Sequence, residues 1–221
     1  MENKEYFLFF LFGQSGIGKT EVARVLANGL ENDAYFAKIN FQNYDRQDAV
    51  NNLIGSPRGY IGSQQGELSN KITKSNLGIL LCDEFDKANR PVHNFFLELL
   101  EEGMFTDSLG CEYDLNGYII IFTSNILSMK EYKDSIPNEL QTRFDLVAEF
   151  QSPTIKDKKQ FVDLLIEQAK LNFSDKFSKI QLSTDDYKTL HDFGYLEQNA
   201  LRDIRKLFYQ NLIIFFELRG I

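Results

Sequence analysis

Residues 13 to 20 read Gly13-Gln14-Ser15-Gly16-Ile17-Gly18-Lys19-Thr20, with four residues between Gly13 and Gly18 and then a lysine and a hydroxyl. Each residue type in that spacing has a use in holding phosphate. Glycines let backbone N–H groups close around phosphate oxygens, and a helix beginning at this point adds the positive end of its dipole. Lys19 would reach the β- and γ-phosphates, and the Thr20 hydroxyl would ligate Mg²⁺. The alternative is a glycine-rich turn with an exposed lysine. The apolar run before the loop and the helical pattern after it argue against that.

A second cluster lies at "LGILLCDEFDKA", where an apolar run ends in Asp83-Glu84. Carboxylates at the C-terminal edge of a sheet sit where ligands of open α/β folds bind. Asp83 would help hold Mg²⁺, and Glu84, with no metal duty, would orient or deprotonate an attacking water. In isolation this pair would be an ordinary strand-end loop; beside the Lys19 loop the chemical reading is favoured. Asn125 closes the run "IIIFTSN", either to hold the same water with its amide or to start a turn. Arg143 precedes the last apolar run, where it could also form a surface ion pair with Asp145, worth little. Arg202 stands near the start of an amphipathic helix whose stripe is Leu201, Ile204, Leu207 and Phe208; a solvated arginine is the ordinary outcome there.

These residues need a scaffold, and the hydrophobic pattern supplies one. Five short runs recur, at 6–12, 34–41, 77–82, 117–124 and 145–150, most of them nearly continuous in hydrophobicity. Such runs fit strands buried on both faces of a parallel sheet. Helical patterns separate them. In "NRPVHNFFLELLEEG", Val92, Phe95, Phe96, Leu99 and Leu100 form one stripe, with Asn89 as cap, Pro91 in the first turn and Gly103 as terminator. Strands alternating with helices predict a three-layer α/β domain. After Phe150 the pattern turns mainly helical. "SPT" reads as a hinge, which places a large nucleotide-binding domain at 1–152 and a small helical lid at 153–221. Ser183 and Asp186 form a capping-box pattern for a helix that Gly194 can end, and Lys179–Ser183 is the lid's one strand candidate.

In that order the residues resemble the AAA+ ATPases, and more narrowly the ClpB-type ATPase module of the Clp unfoldases and disaggregases. The matching stretches are "GQSGIGKTEVARVLA", "LIGSPRGYIG", "GELSNKI", "ILLCDEFDKAN", "LLEEGMFTDSLG", "IIIFTSN" and "LQTRFDLVAEF". The resemblance implies a P-loop domain with a five-stranded parallel sheet, a β-hairpin near 104–117 and an α-helical lid. It implies Asn125 as sensor 1, Arg143 as an arginine finger given to a neighbouring subunit, and Arg202 as sensor 2. It also implies a role for "GYIG": Tyr60, with Ile61, would face the channel of a hexameric ring and grip an unfolded chain by apolar contact. The implied activity is ATP hydrolysis, with Mg²⁺, by a homo-oligomeric motor that remodels or threads unfolded or misfolded protein.

Other features bound this reading. The chain has 221 residues, 43% apolar and 25% charged, and a net charge of −8. That composition belongs to a folded chain, and without a dense Lys/Arg run nucleic acid is not the expected partner. The run Tyr6–Phe12 is far short of the ~20 residues of a membrane span and lacks a signal-peptide cleavage site. Two cysteines in unlike contexts fit a reducing cytoplasm. His93 and His191 match no ligand cluster and receive no role. No Ile-Gly-Phe-type loop lies between Asn125 and Arg143, so a peptidase ring is not an expected partner. "NALRD" departs from the family's Gly-Ala-Arg at sensor 2, and lids of this family usually finish with strands that would pair with Lys179–Ser183. Five consecutive apolar residues, Leu212 to Phe216, either pack inside the lid or leave an exposed patch. Two other activities fit the same nucleotide site: a nucleic-acid-remodelling or loading AAA+ ATPase, and a non-motor ATP-dependent switch or scaffold.

Overall fold

The computed structural model describes residues 6–30, 35–46, 48–56, 65–178, 183–192 and 200–220. Phe7–Gly13 (β1), Ala37–Asn40 (β2), Ile79–Asp83 (β3), Ile119–Ser124 (β6) and Leu146–Phe150 (β7) form one sheet in the order β2-β3-β6-β1-β7. All four pairings in it are parallel. Met104–Thr106 (β4) and Glu112–Asp114 (β5) make a separate antiparallel hairpin, within the span expected for one.

The period of two along each strand sorts side chains between two cores. Leu8, Phe10 and Phe12 of β1, Leu80 and Cys82 of β3, and Ile120 and Phe122 of β6 enter the larger core. There they meet Leu53 of Ala49–Ile54 (α2), Leu68 and Ile72 of Glu67–Lys74 (α3), and Val92, Phe96, Leu99 and Leu100 of Arg90–Glu102 (α4). The intervening Leu11, Ile79, Leu81 and Ile121 face Ala23 and Ala27 of Lys19–Leu30 (α1). Helix, sheet and helix are therefore the three layers that the alternating pattern predicts.

Two expectations need adjusting. The edge strand β7 is only half-buried, with Leu146 at 49% exposure. The second strand is also shorter than its apolar run, spanning Ala37–Asn40. Helix α4 starts and ends as its sequence predicts. The Asn89 side chain accepts the Val92 N–H, a cap worth about 1 kcal/mol, and Gly103 stops the helix at φ 73°. Phe95 is less buried than the rest of the stripe, and His93 replaces it among the buried positions.

The remaining elements of the larger part are Met129–Ser135 (α5) and Asn138–Gln141 (α6). The chain divides into two compact units, one of Met1–Gln14 with Lys19–Phe150, the other of Ser15–Gly18 with Gln151–Ile221. The second contains Ile155–Asn172 (α7), Ser174–Phe177 (α8), Thr184–Asp192 (α9) and Leu201–Glu217 (α10). Thr154 and Asp157 form a capping box on α7, and Ser183 and Asp186 exchange the same contacts at α9. Val162, Leu165, Ile166 and Leu190 pack against Ile204, Phe208, Leu212, Phe215 and Phe216. The five-residue apolar run thus splits: Leu212, Phe215 and Phe216 are in the core, while Ile213 and Ile214 are exposed. Lys179–Leu182 and Gly194 lie outside the described residues. Among the described residues no helix is long and apolar enough to cross a membrane.

Candidate functional site

Three adjacent strands, β3, β6 and β1, end side by side, so that Asp83-Glu84, Asn125 and the Gly13 loop emerge at one edge of the sheet. This is the carboxyl edge, where open α/β sheets bind ligands. The loop after β1 needs glycine: Gly13, Gly16 and Gly18 have φ of 141°, 80° and 108°, values that side chains with a Cβ rarely adopt.

Lys19 is buried, and its ammonium donates to the carbonyls of Gly13 and Gln14 (2.7 Å each) and to Oδ1 of Asn125 (3.1 Å). The other end of the same amide, Nδ2 of Asn125, donates to Oε1 of Glu84 at 3.2 Å. Asn125 is thus a bridge between a buried cation and a carboxylate, not simply the start of a turn. Glu84 has the one positive φ among described non-glycine residues, 57°. A non-glycine residue held there costs about 1–3 kcal/mol, and such strain clusters at functional sites. Phe85, fully buried against Phe41, Phe96 and Phe122, anchors the turn just beyond it.

Asp83 collects three partners. Thr20 Oγ1 (3.1 Å) and the Thr123 hydroxyl donate to Oδ1, while Lys38 Nζ lies 2.7 Å from Oδ2. Burial alone would push the Asp83 carboxyl up. The bonds from Lys38, Thr123 and Thr20, with the Lys38 charge, outweigh it and hold the group below the ordinary carboxylate range. Thr123 also accepts the Glu84 backbone N–H at 3.3 Å, so one hydroxyl fixes both acids. The hydroxyl of Thr20 beside an ionised carboxylate is a set of hard oxygen donors, which suits Mg²⁺ completed by phosphates and water.

Sequence reasoning did not single out Lys38 or Thr123. Their signal is weak but present: each is a polar residue inside an otherwise apolar strand, at a position facing α1.

The other expected residues are more dispersed. Gln14 and Ser15 are exposed and Ile17 is buried. Arg143 pairs with Glu101 of α4 (3.3 Å), and the Asp145 carboxylate accepts the Leu8 N–H at 2.8 Å. Within the second unit, the Arg202 N–H donates to the Gly16 carbonyl at 3.2 Å and the Arg202 side chain is exposed. Tyr60 and Ile61 lie outside the described residues. The segment carrying them is flanked by an antiparallel bridge between Gly55 and Gln65.

A family model described as AAA domain (Cdc48 subfamily) matches residues 4–179. The chain belongs to this AAA family. Within it, the chain is similar to the ClpB chaperones. It is 30% identical over 221 residues to the chaperone protein ClpB of Staphylococcus epidermidis, covering 90% of this chain and 25% of that protein. It is 30% identical to ClpB 2 of a Nostoc species (92% of this chain, 26% of the relative) and to ClpB of Malacoplasma penetrans (92% and 31%). The AAA+ module therefore spans about a quarter of the length of most of these curated relatives. Its fold also matches a closed-state cryo-EM reconstruction of Hsp104 with ATPγS and FITC casein. The TM-score is 0.81 at 23% identity, covering 99% of this chain and 42% of that one.

Proposed function

We propose that this AAA+ module hydrolyses ATP and works in a homo-oligomeric, hexameric ring that remodels or threads unfolded protein. The observation that carries the chemistry is the bridge from Lys19 through Asn125 to Glu84. It joins the phosphate-binding cation to the acid that would activate water.

In this reading the Gly13–Thr20 loop binds the triphosphate, and Lys19 exchanges its carbonyl partners for β- and γ-phosphate oxygens. Thr20 and Asp83 would hold Mg²⁺, which when bound neutralises charge on the phosphates. Glu84 takes a proton from water while Asn125 keeps the carboxylate and the water aligned. Residues 1–152 serve as the nucleotide-binding domain and 153–221 as the lid, where Arg202 acts as sensor 2. Arg143, one-third exposed and paired with Glu101 in this chain, serves a neighbouring subunit's site as its arginine finger. Tyr60 and Ile61 grip the substrate chain. The ClpB relatives and the casein in the Hsp104 reconstruction support protein as the handled polymer, and the net charge of −8 supports it over nucleic acid. A cytoplasmic location accompanies this reading.

Glu84→Gln is the test, because it keeps the Asn125 bond and removes the base. Nucleotide binding should persist while turnover falls by about a hundredfold or more. Turnover near that of the wild type would remove Glu84 from this role.

A further inference from the structure

Among the described residues, the cation paired with the Asp83 carboxylate comes from a strand that none of the site motifs includes. Lys38 lies in the middle of β2, at the sheet edge, opposite Leu81, with Asn40 opposite Asp83. Its neighbours Ala37 and Ile39 are fully buried in the larger core, so the period of two turns Lys38 to the α1 face. Leu81 and Ile121 occupy that face, and continuing the alternation places Asp83 and Thr123 on it as well. The result is a division of the carboxylate. Oδ1 takes the two hydroxyls of Thr20 and Thr123, and Oδ2 takes the Lys38 ammonium at 2.7 Å.

We propose that Lys38 is a positioning residue that acts as an internal counter-cation on Asp83 and sets how much Mg²⁺ the nucleotide site requires. This rests on the reading of Thr20 and Asp83 as the Mg²⁺-holding pair. The ammonium, 2.7 Å from Oδ2, holds the carboxylate in one rotamer. It also competes with a divalent ion arriving at the same group, so Mg²⁺ binds only at the cost of the Lys38 contact. The Lys38 side chain is 42% exposed, which leaves its head free to swing toward water on its flexible stem when the metal arrives. Binding stays reversible in consequence, and product Mg²⁺ leaves more readily with the nucleotide.

The test is a Mg²⁺ titration of fluorescent-ADP binding to the whole chain. Lys38→Met keeps the stem and removes the charge, and should lower the Mg²⁺ concentration for half-maximal binding by about three- to tenfold. Lys38→Arg keeps the charge and should titrate like the wild type, which also guards against a Met variant that fails to fold. In an Asp83→Asn background, Lys38→Met should produce no shift, because the carboxylate through which it acts is gone. An unchanged or higher Mg²⁺ requirement in Lys38→Met, or a changed one in Lys38→Arg, overturns the proposal. Wild-type binding of ADP that ignores Mg²⁺ altogether contradicts instead the assignment of Thr20 and Asp83.

Discussion

Lys19 shows how a buried charge is tolerated before its ligand arrives. A desolvated ammonium is costly unless oxygen atoms surround it, and here two loop carbonyls and the Asn125 amide do so. The three contacts hold the cation where phosphate oxygens would replace them. Lys19→Ala removes the charge-assisted contact, so nucleotide affinity should become undetectable by equilibrium binding with the fold intact by circular dichroism. Retained affinity would show that the loop does not cradle phosphate. That the Gly13–Thr20 loop, the Asp83-Glu84 pair and Asn125 come together was legible, because each stands out by residue type and spacing at the end of an apolar run. Lys38 and Thr123 did not. What makes them matter is a register across three strands, which exists only once β2, β3 and β6 are aligned. The left-handed backbone at Glu84 was equally hidden, since nothing in "CDEFD" asks for φ of 57°.

At the scale of elements, the sheet order brings three strand ends together, and the aromatic packing behind them keeps the Asp83-Glu84 turn in place. Strand existence and the hairpin could be read from the apolar runs. The half-exposure of β7 could not, because an edge strand and a central one carry similar sequences. Helix α4 supplies the most specific prediction here. His93 is buried and sits 3.3 Å from the Phe85 carbonyl, in ring contact with Phe85. Burial pushes its pKa down, and the Phe85 carbonyl and the Asp86 charge only partly oppose this. The folded chain therefore disfavours the protonated ring. Stability from neutral His93 is fully present above the unfolded value of about 6.5 and is lost as pH falls from there toward the lower folded pKa. The urea midpoint should drop between about pH 7 and 5, and His93→Gln should flatten that drop. An equal drop in the variant would assign it to other groups.

For the whole molecule, the organisation into a mixed α/β unit and a helical one follows from a change of hydrophobic period after Phe150. The apolar run near the end of α10 was ambiguous because five adjacent residues cover every side of a helix. Packing against α7 and the ring contacts of Phe173 and Phe177 decide that Leu212, Phe215 and Phe216 are interior and Ile213 and Ile214 are not. An arginine finger is likewise a property of an assembly. Within this chain Arg143 is paired with Glu101, so the finger role can be tested only between chains.

The most direct test of the proposed ATPase site shared between neighbours is turnover in mixed assemblies. Arg143→Ala alone should bind ATP and hydrolyse it on the order of a thousandfold more slowly, and Glu84→Gln alone should be similarly impaired. Mixed one to one, a head-to-tail ring puts an intact Glu84 against an intact Arg143 at about a quarter of its interfaces. Turnover should then rise well above that of either variant by itself. Demonstrably co-assembled chains that stay as inactive as the separate variants, or an Arg143→Ala chain as active as the wild type, would contradict a site shared between subunits.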